Sequence, residues 1–245
     1  MRRGMLLKPF HLIIDGAFSC LAPPRCRSCR APLLGHDNPY LCPACAAAVE
    51  WIGDGACRGC GFPAGPHAAH AENCLRCRDK KLNLTAAVAV ARYRHGARNL
   101  VRSFKYGGET ELARPLAALM AERLRAADFF SGVDMVVPVA LHPKRRRERG
   151  FDQARMLAEP VATLVGLPCR PGVVKRVRHT TPQAALHRAQ RLENMKGAFT
   201  ADESLKGRRV VLVDDVMTTG ATMADCARAC REAGATRMYA LLFAR

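Results

Sequence analysis

The stretch that most constrains this chain is RVVLVDDVMTTGAT, from Arg209 to Thr222. Val210, Val211, Leu212 and Val213 form a short, largely β-branched run of the kind found in fully buried strands. Asp214 and Asp215 follow at once, then the hydroxyl-rich turn Thr218-Thr219-Gly220-Ala221-Thr222, then a helical pattern from Met223 to Gly234. A parallel strand delivers its last residues to the carboxyl edge of a sheet, where open α/β folds bind ligands. The next helix opens with unpaired N–H groups and the positive end of its dipole, an anion site. Gly220 allows the main chain close to a phosphate, and threonine hydroxyls add donors. Paired carboxylates repel phosphate; they suit ribose hydroxyls or a bridging Mg²⁺. A plainer reading makes one acid a helix cap, but capping needs a single acid and leaves the rest of the order unused.

The same stretch resembles the phosphoribosyl pyrophosphate (PRPP) signature of type I phosphoribosyltransferases. That resemblance implies Asp214 and Asp215 as the catalytic acids. It also implies a phosphate-binding set of Met217, Thr218, Thr219, Gly220, Ala221 and Thr222, and Mg²⁺ bound together with PRPP. No G-x-x-x-x-G-K-[ST] phosphate loop occurs anywhere in the sequence.

Eight of the twelve cysteines form C-x-x-C pairs: Cys26/Cys29, Cys42/Cys45, Cys57/Cys60 and Cys74/Cys77. Twelve residues separate the first two pairs and thirteen the last two. Two residues between ligands let one knuckle present both thiolates to a tetrahedral Zn²⁺, and a second knuckle completes a four-thiolate set. Two tandem ribbons are the simplest assignment; cross-bracing, first pair with third and second with fourth, is the alternative. His36, His67 and His70 lie nearby, but the sulfurs suffice without them. Four thiolates leave no open position for water, so the expected Zn²⁺ is structural. With little apolar sequence of its own, this segment would draw its folding energy from metal. Cys226 and Cys230, four apart on the helix after the acids, read as core residues.

A polar, basic stretch from Arg76 to Asn83 follows, which sets a boundary near residue 80: residues 1–80 as the N-terminal segment with the double ribbon, residues 81–245 as the second domain. There, strands are expected at Thr85 to Tyr93, Asp134 to Ala140, Val173 to Val177, Arg209 to Val213 and Arg237 to Phe243. Helices are expected at Arg98 to Tyr106, Leu112 to Ala127 and Asp152 to Val165, with Pro160 kinking or splitting the last. Alternating strands and helices imply an α/β fold, a mostly parallel sheet covered by helices.

Between strand and helix, His142 to Gly150 reads as a basic turn. From Lys144 to Lys196 there are thirteen Lys and Arg against four acids. Arginine matches phosphate oxygens bidentately, so this loop, with Val139, Lys144, Arg145 and Arg146, is a candidate for holding a pyrophosphate leaving group. Arg102, Lys105, Arg176, Arg178 and Arg188 are further cations able to close over the site.

The cysteine pairs, FKYGG at Phe104 to Gly108, VPV…RRRERGFDQA ending at Ala154, TPQAAL at Thr181 to Leu186 and VLVDDVMTTGAT together resemble the ComF family. Its members are double-zinc-ribbon, phosphoribosyltransferase-like proteins, some linked to DNA uptake in bacterial competence. The resemblance runs from about Cys26 to Phe243. It implies a type I phosphoribosyltransferase fold with a PRPP-type pocket whose family-specific lining includes Lys105, Arg149, Phe151, Asp152, Gln153, Thr181 and Gln183. The TPQAAL segment is the expected lid.

Net charge is +18, which argues for anionic partners: PRPP or a related sugar phosphate, and single-stranded DNA. Scarce aromatics, 6% of residues, weigh against strand binding by base stacking. Competence proteins are the partners the resemblance adds. Near the N-terminus, Lys8, Pro9, His11 and Asp15 interrupt the apolar region, so a signal peptide is not expected. Leu6, Phe10, Ile13, Ile14 and Phe18 read as one docked helical face. No apolar run reaches the roughly 18–20 residues of a membrane span, and a cytoplasmic protein is expected.

Overall fold

The computed structural model describes residues 24–35, 38–63, 74–178 and 195–245. The apolar face at residues 6–18, the three histidines and the TPQAAL segment with Thr181 and Gln183 lie outside the described residues, as does Arg188.

Strands β1 (Ala86–Ala91), β2 (Met135–Pro138), β5 (Arg209–Val216) and β6 (Arg237–Ala244) form one parallel sheet in the order β1-β6-β5-β2. Side chains alternate between its faces. Val211, Val213, Leu241 and Phe243 join one apolar cluster, and Val210, Leu212, Met238 and Leu242 join the other. Helices α2 (His95–Tyr106), α3 (Ala113–Arg125) and α5 (Gln153–Val165) cover the first face. Helix α6 (Ala221–Glu232) covers the second, beside a two-stranded antiparallel pair, β3 (Val174–Arg176) and β4 (Phe199–Ala201). Among the described residues, α1 (Pro43–Ala47) and α4 (Pro143–Arg149) are further short helices.

Exposed sheet edges invite pairing with other chains, and both edges here are covered. On the β1 side, Ile52 N–H donates to Val90 O, Arg92 N–H to Glu50 O and Ala87 N–H to Arg58 O, each at 2.8 Å. On the β2 side, the chain around Cys169 pairs with Val136.

Three expectations change. The basic turn is the helix α4: Pro143 stands in its first turn, His142 caps it by accepting the Lys144 N–H at 3.2 Å, and Gly150 ends it at φ +82°. Helix α5 runs through Pro160 as one helix, because Leu157, Ala158, Val161 and Ala162 are buried on the sheet and outweigh one missing hydrogen bond. The strand near Val173 to Val177 does not join the parallel sheet; among the described residues it pairs with β4. That hairpin is pinned by Asp225 on α6, 6% exposed, which accepts the N–H groups of Gly197, Ala198 and Phe199 at 2.9, 2.7 and 3.1 Å. Arg228 Nε donates to it at 2.8 Å. Replacing Asp225 with alanine strands these donors, and urea unfolding should show a loss of about 3 kcal/mol.

Candidate functional site

Strand β5 carries both acids inside its pairing, with Asp214 opposite Leu242 and Val216 opposite Ala244. The two carboxylates act on each other and on the same cation, Lys105. Asp215 is 1% exposed and meets Lys105 Nζ of α2 at 2.8 Å through Oδ1. Its Oδ2 is buried with no hydrogen-bond partner among the described residues. Burial alone would lower the Lys105 pKa, but the charges of Asp215 and Asp214 outweigh it and hold it above the usual lysine value. Asp214 keeps some surface toward solvent yet sits deep in protein. Burial first, then the Asp215 charge, raise its carboxyl well above the usual range, with Lys105 pulling the other way.

The turn after β5 brings the phosphate-binding candidates together. Met217 is buried, Thr218 exposed, and Thr219 Oγ1 accepts the Ala221 N–H at 3.4 Å. Gly220 adopts φ +89°, a left-handed conformation open to glycine, and α6 starts at Ala221. A Cβ on Gly220 would lie 2.7 Å from Leu82 Cδ2, so a larger residue would also have to displace that side chain. Thr222 stands in the first turn of α6.

Helical spacing sorts the basic segment. Arg145 and Arg149, one turn apart on α4, are half-buried, and each has a buried guanidinium nitrogen with no partner among the described residues. Lys144 and Arg146 are exposed. Burial, then the Arg145 charge, lowers the Arg176 guanidinium to about 10, against the pull of Asp214 and Asp225. Arg145, Arg176 and Asp214 therefore share one electrostatic neighbourhood. Arg149 lies 5.1 Å from the Tyr106 ring. The Val139 side chain is 4% exposed in the core, and its N–H donates to Val213 O at 2.9 Å. Asp152 caps α5 by accepting the Arg155 N–H at 3.1 Å. Phe151 packs on Phe104 with ring centroids 5.9 Å apart. Gln153 is buried with Oε1 unpartnered.

Two residues escaped sequence reasoning, Arg245 and Lys80. Arg245 Nη1 donates to Met217 O at 2.7 Å and Thr218 O at 2.6 Å, and Lys80 Nζ donates to Thr219 O at 3.2 Å. No motif marks either; both belong to the site through contacts between segments distant in sequence.

The cysteines resolve as tandem sets: Cys26, Cys29, Cys42 and Cys45 in one, Cys57, Cys60, Cys74 and Cys77 in the other, each with its sulfurs within 4.8 Å of one another. Sulfur pairs stand at 3.7 Å (Cys29–Cys42), 3.6 Å (Cys57–Cys77) and 3.7 Å (Cys60–Cys74). A tetrahedron with metal–sulfur bonds of about 2.3 Å has edges of about 3.8 Å, so these donors fit Zn²⁺. Gly61, at φ +68°, makes the tight turn after the third pair.

Parallel sheet, acid-bearing strand, glycine turn and twin four-cysteine clusters define a phosphoribosyltransferase-fold protein with a double zinc ribbon. Family models match accordingly: a double zinc ribbon domain over residues 17–78 and a phosphoribosyl transferase domain over residues 152–245. The chain is 34% identical over 210 residues to DNA utilization protein YhgH of Salmonella typhi, covering 84% of this chain and 90% of that one. It is 30% identical over 216 residues to Competence protein F of Haemophilus influenzae, covering 86% and 92%. With Competence protein ComFC of Bacillus subtilis it shares 29% identity over 215 residues, covering 84% and 83%. The chain belongs to the ComF family.

The raised Asp214 pKa fixes a sign. The native state binds more protons than the unfolded chain between the ordinary carboxylate range and the native value, so stability falls as pH rises through that window. Asp214→Asn should raise the melting temperature of the ligand-free protein at neutral pH by a few degrees, and the gain should vanish near pH ~4.

Proposed function

We propose that the carboxyl edge of the sheet binds PRPP with Mg²⁺ and supports transfer of its phosphoribosyl group. The observation that carries this reading is Asp215, a buried carboxylate with one oxygen on Lys105 and the other unpartnered beside a glycine turn at a helix N-terminus. A ribose hydroxyl or a water on Mg²⁺ would satisfy Oδ2. When bound, Mg²⁺ would offset charge on the departing pyrophosphate.

The chain's own groups have separable tasks. The N–H groups of the turn and the Thr218, Thr219 and Thr222 hydroxyls hold the 5′-phosphate. Asp214 and Asp215 orient the ribose, and Lys105 keeps Asp215 in place. Arg145, Arg149 and Arg176 face the pyrophosphate, whose departure from C1 leaves a cation-like centre stabilised by the nearby carboxylates. Catalysis of this kind is positioning and electrostatics, with no protein nucleophile. Calorimetry with PRPP and Mg²⁺ should give one site per chain, weakened about tenfold or more by Asp215→Asn. Absence of heat in the native protein would remove this reading, and pyrophosphate release against a panel of nucleobases would separate transferase from sensor.

A second reading, DNA handling without chemistry, is favoured by a cleft of about 620 Å³ that shares Lys80 and Leu82 with the turn after β5. Arg58, Lys80, Lys81, Arg231 and Arg237 line it with no acid among them. Related proteins named for DNA utilization and competence make a phosphodiester backbone the natural guest. Phosphate contacts release counterions. Binding to a single-stranded oligonucleotide should therefore weaken with salt, and a Lys81→Ala/Arg237→Ala variant should lower the slope of log affinity against log salt by about 2. An unchanged slope rules this cleft out.

A further inference from the structure

Arg245 is 5% exposed, and its guanidinium joins two places that lie far apart in the sequence. Nε donates to the carbonyl of Cys60, in the second cysteine cluster, at 2.9 Å. Nη1 donates to the carbonyls of Met217 and Thr218, which open the phosphate turn. The Phe62 ring, two residues past Cys60, stands 5.9 Å from the guanidinium carbon. The chain leaving the same cluster adds two contacts. Lys80, three residues past Cys77, donates to the carbonyl of Thr219, and Leu82 packs against Gly220. Three successive carbonyls of the turn are thus held by cations on the second-cluster side.

A peptide unit is planar and trans, so its C=O and the following N–H point in opposite directions. Holding the carbonyls of residues 217, 218 and 219 toward Arg245 and Lys80 turns the N–H groups of 218, 219 and 220 the other way. Those are the donors that a phosphate at the turn would use. With Zn²⁺ bound, four thiolates leave the cluster at a charge of about −2, which a buried guanidinium beside it offsets.

The first cluster leans elsewhere. Ser103 Oγ of α2 donates to Arg27 O at 2.7 Å, Asn99 of α2 donates to Ser28 Oγ at 2.9 Å, and Arg27 pairs with Glu109 and Glu111 beyond the helix.

We propose that Arg245 is a positioning residue that aims the amides of the phosphate turn, and that the second cysteine cluster, not the first, keeps it in place. Order in the turn then depends on metal in the second cluster. The effect on ligand affinity rests on the PRPP reading above; the effect on the turn itself does not.

Hydrogen exchange of the ligand-free protein reads the turn directly. In Arg245→Ala, amides of residues 218–222 should exchange about tenfold faster or more, with two zinc equivalents retained, and PRPP affinity should fall by a comparable factor. Arg245→Lys, which keeps the charge but not the fork, should lie between. Cys74→Ser should speed the same amides, whereas Cys29→Ser should leave them at the native rate. Native exchange at the turn in folded Arg245→Ala overturns the proposal, as does equal loosening by the two cysteine variants. Where Arg245→Ala fails to fold, Arg245→Lys decides by the same criterion. Faster exchange in a protein whose native form ignores PRPP would leave the brace standing and remove the function instead.

Discussion

Asp215 and Lys105 form the contact on which the architecture turns. A carboxylate 1% exposed is tolerable only with a cation on it, and Lys105 supplies one at 2.8 Å. Removing one partner of such a pair typically costs about 3–5 kcal/mol, because the other is left charged in a low dielectric. Lys105 sits in the last turn of α2, so α2 must be held at a set height above the sheet. Its apolar side does part of this through Leu100, Val101 and Phe104.

The rest comes from the cysteine-rich segment. Ser28, Arg27 and Cys45 all meet α2; a Cβ on Gly96 would stand 2.8 Å from the Cys45 carbonyl, so helix and ribbon touch through backbone. The second cluster reaches the other side of the site through Arg245 and Lys80. A ribbon segment with few apolar residues thus braces the turn after β5, and its Arg58 and Gly59 line the neighbouring cleft. It also covers the β1 edge of the sheet, which would otherwise be open to pairing.

The charge distribution follows the same division. Inside, Lys105 and Arg245 are buried or nearly so and answer a carboxylate and carbonyls, while buried Arg176 donates to the Met195 sulfur at 3.4 Å. Outside, Lys81, Lys144 and Arg146 remain exposed and contribute to a surface potential that attracts anions. Others, such as Arg27, Arg209 and Arg228, pair with acids away from the site.

The buried β-branched run, the two acids, the glycine and the threonines sit within fourteen consecutive residues, and their local chemistry already dictates strand, turn and helix. C-x-x-C spacing likewise announces the metal, since one knuckle is a local object. What lay beyond the sequence depends on contacts between distant segments. Whether the cysteine pairs join in tandem or crosswise is set by the path between knuckles. That Asp215 meets Lys105 while Asp214 feels the charges of both Lys105 and Arg176 depends on where α2 and β3 pack against the end of β5. Arg245 and Lys80 carry no motif, because a long cation earns its role only from the carbonyls that folding places within its reach. Local sequence encodes local geometry; partners more than a hundred residues apart, such as Cys60 with Arg245 and Lys80 with Thr219, are chosen by the packing of the whole sheet.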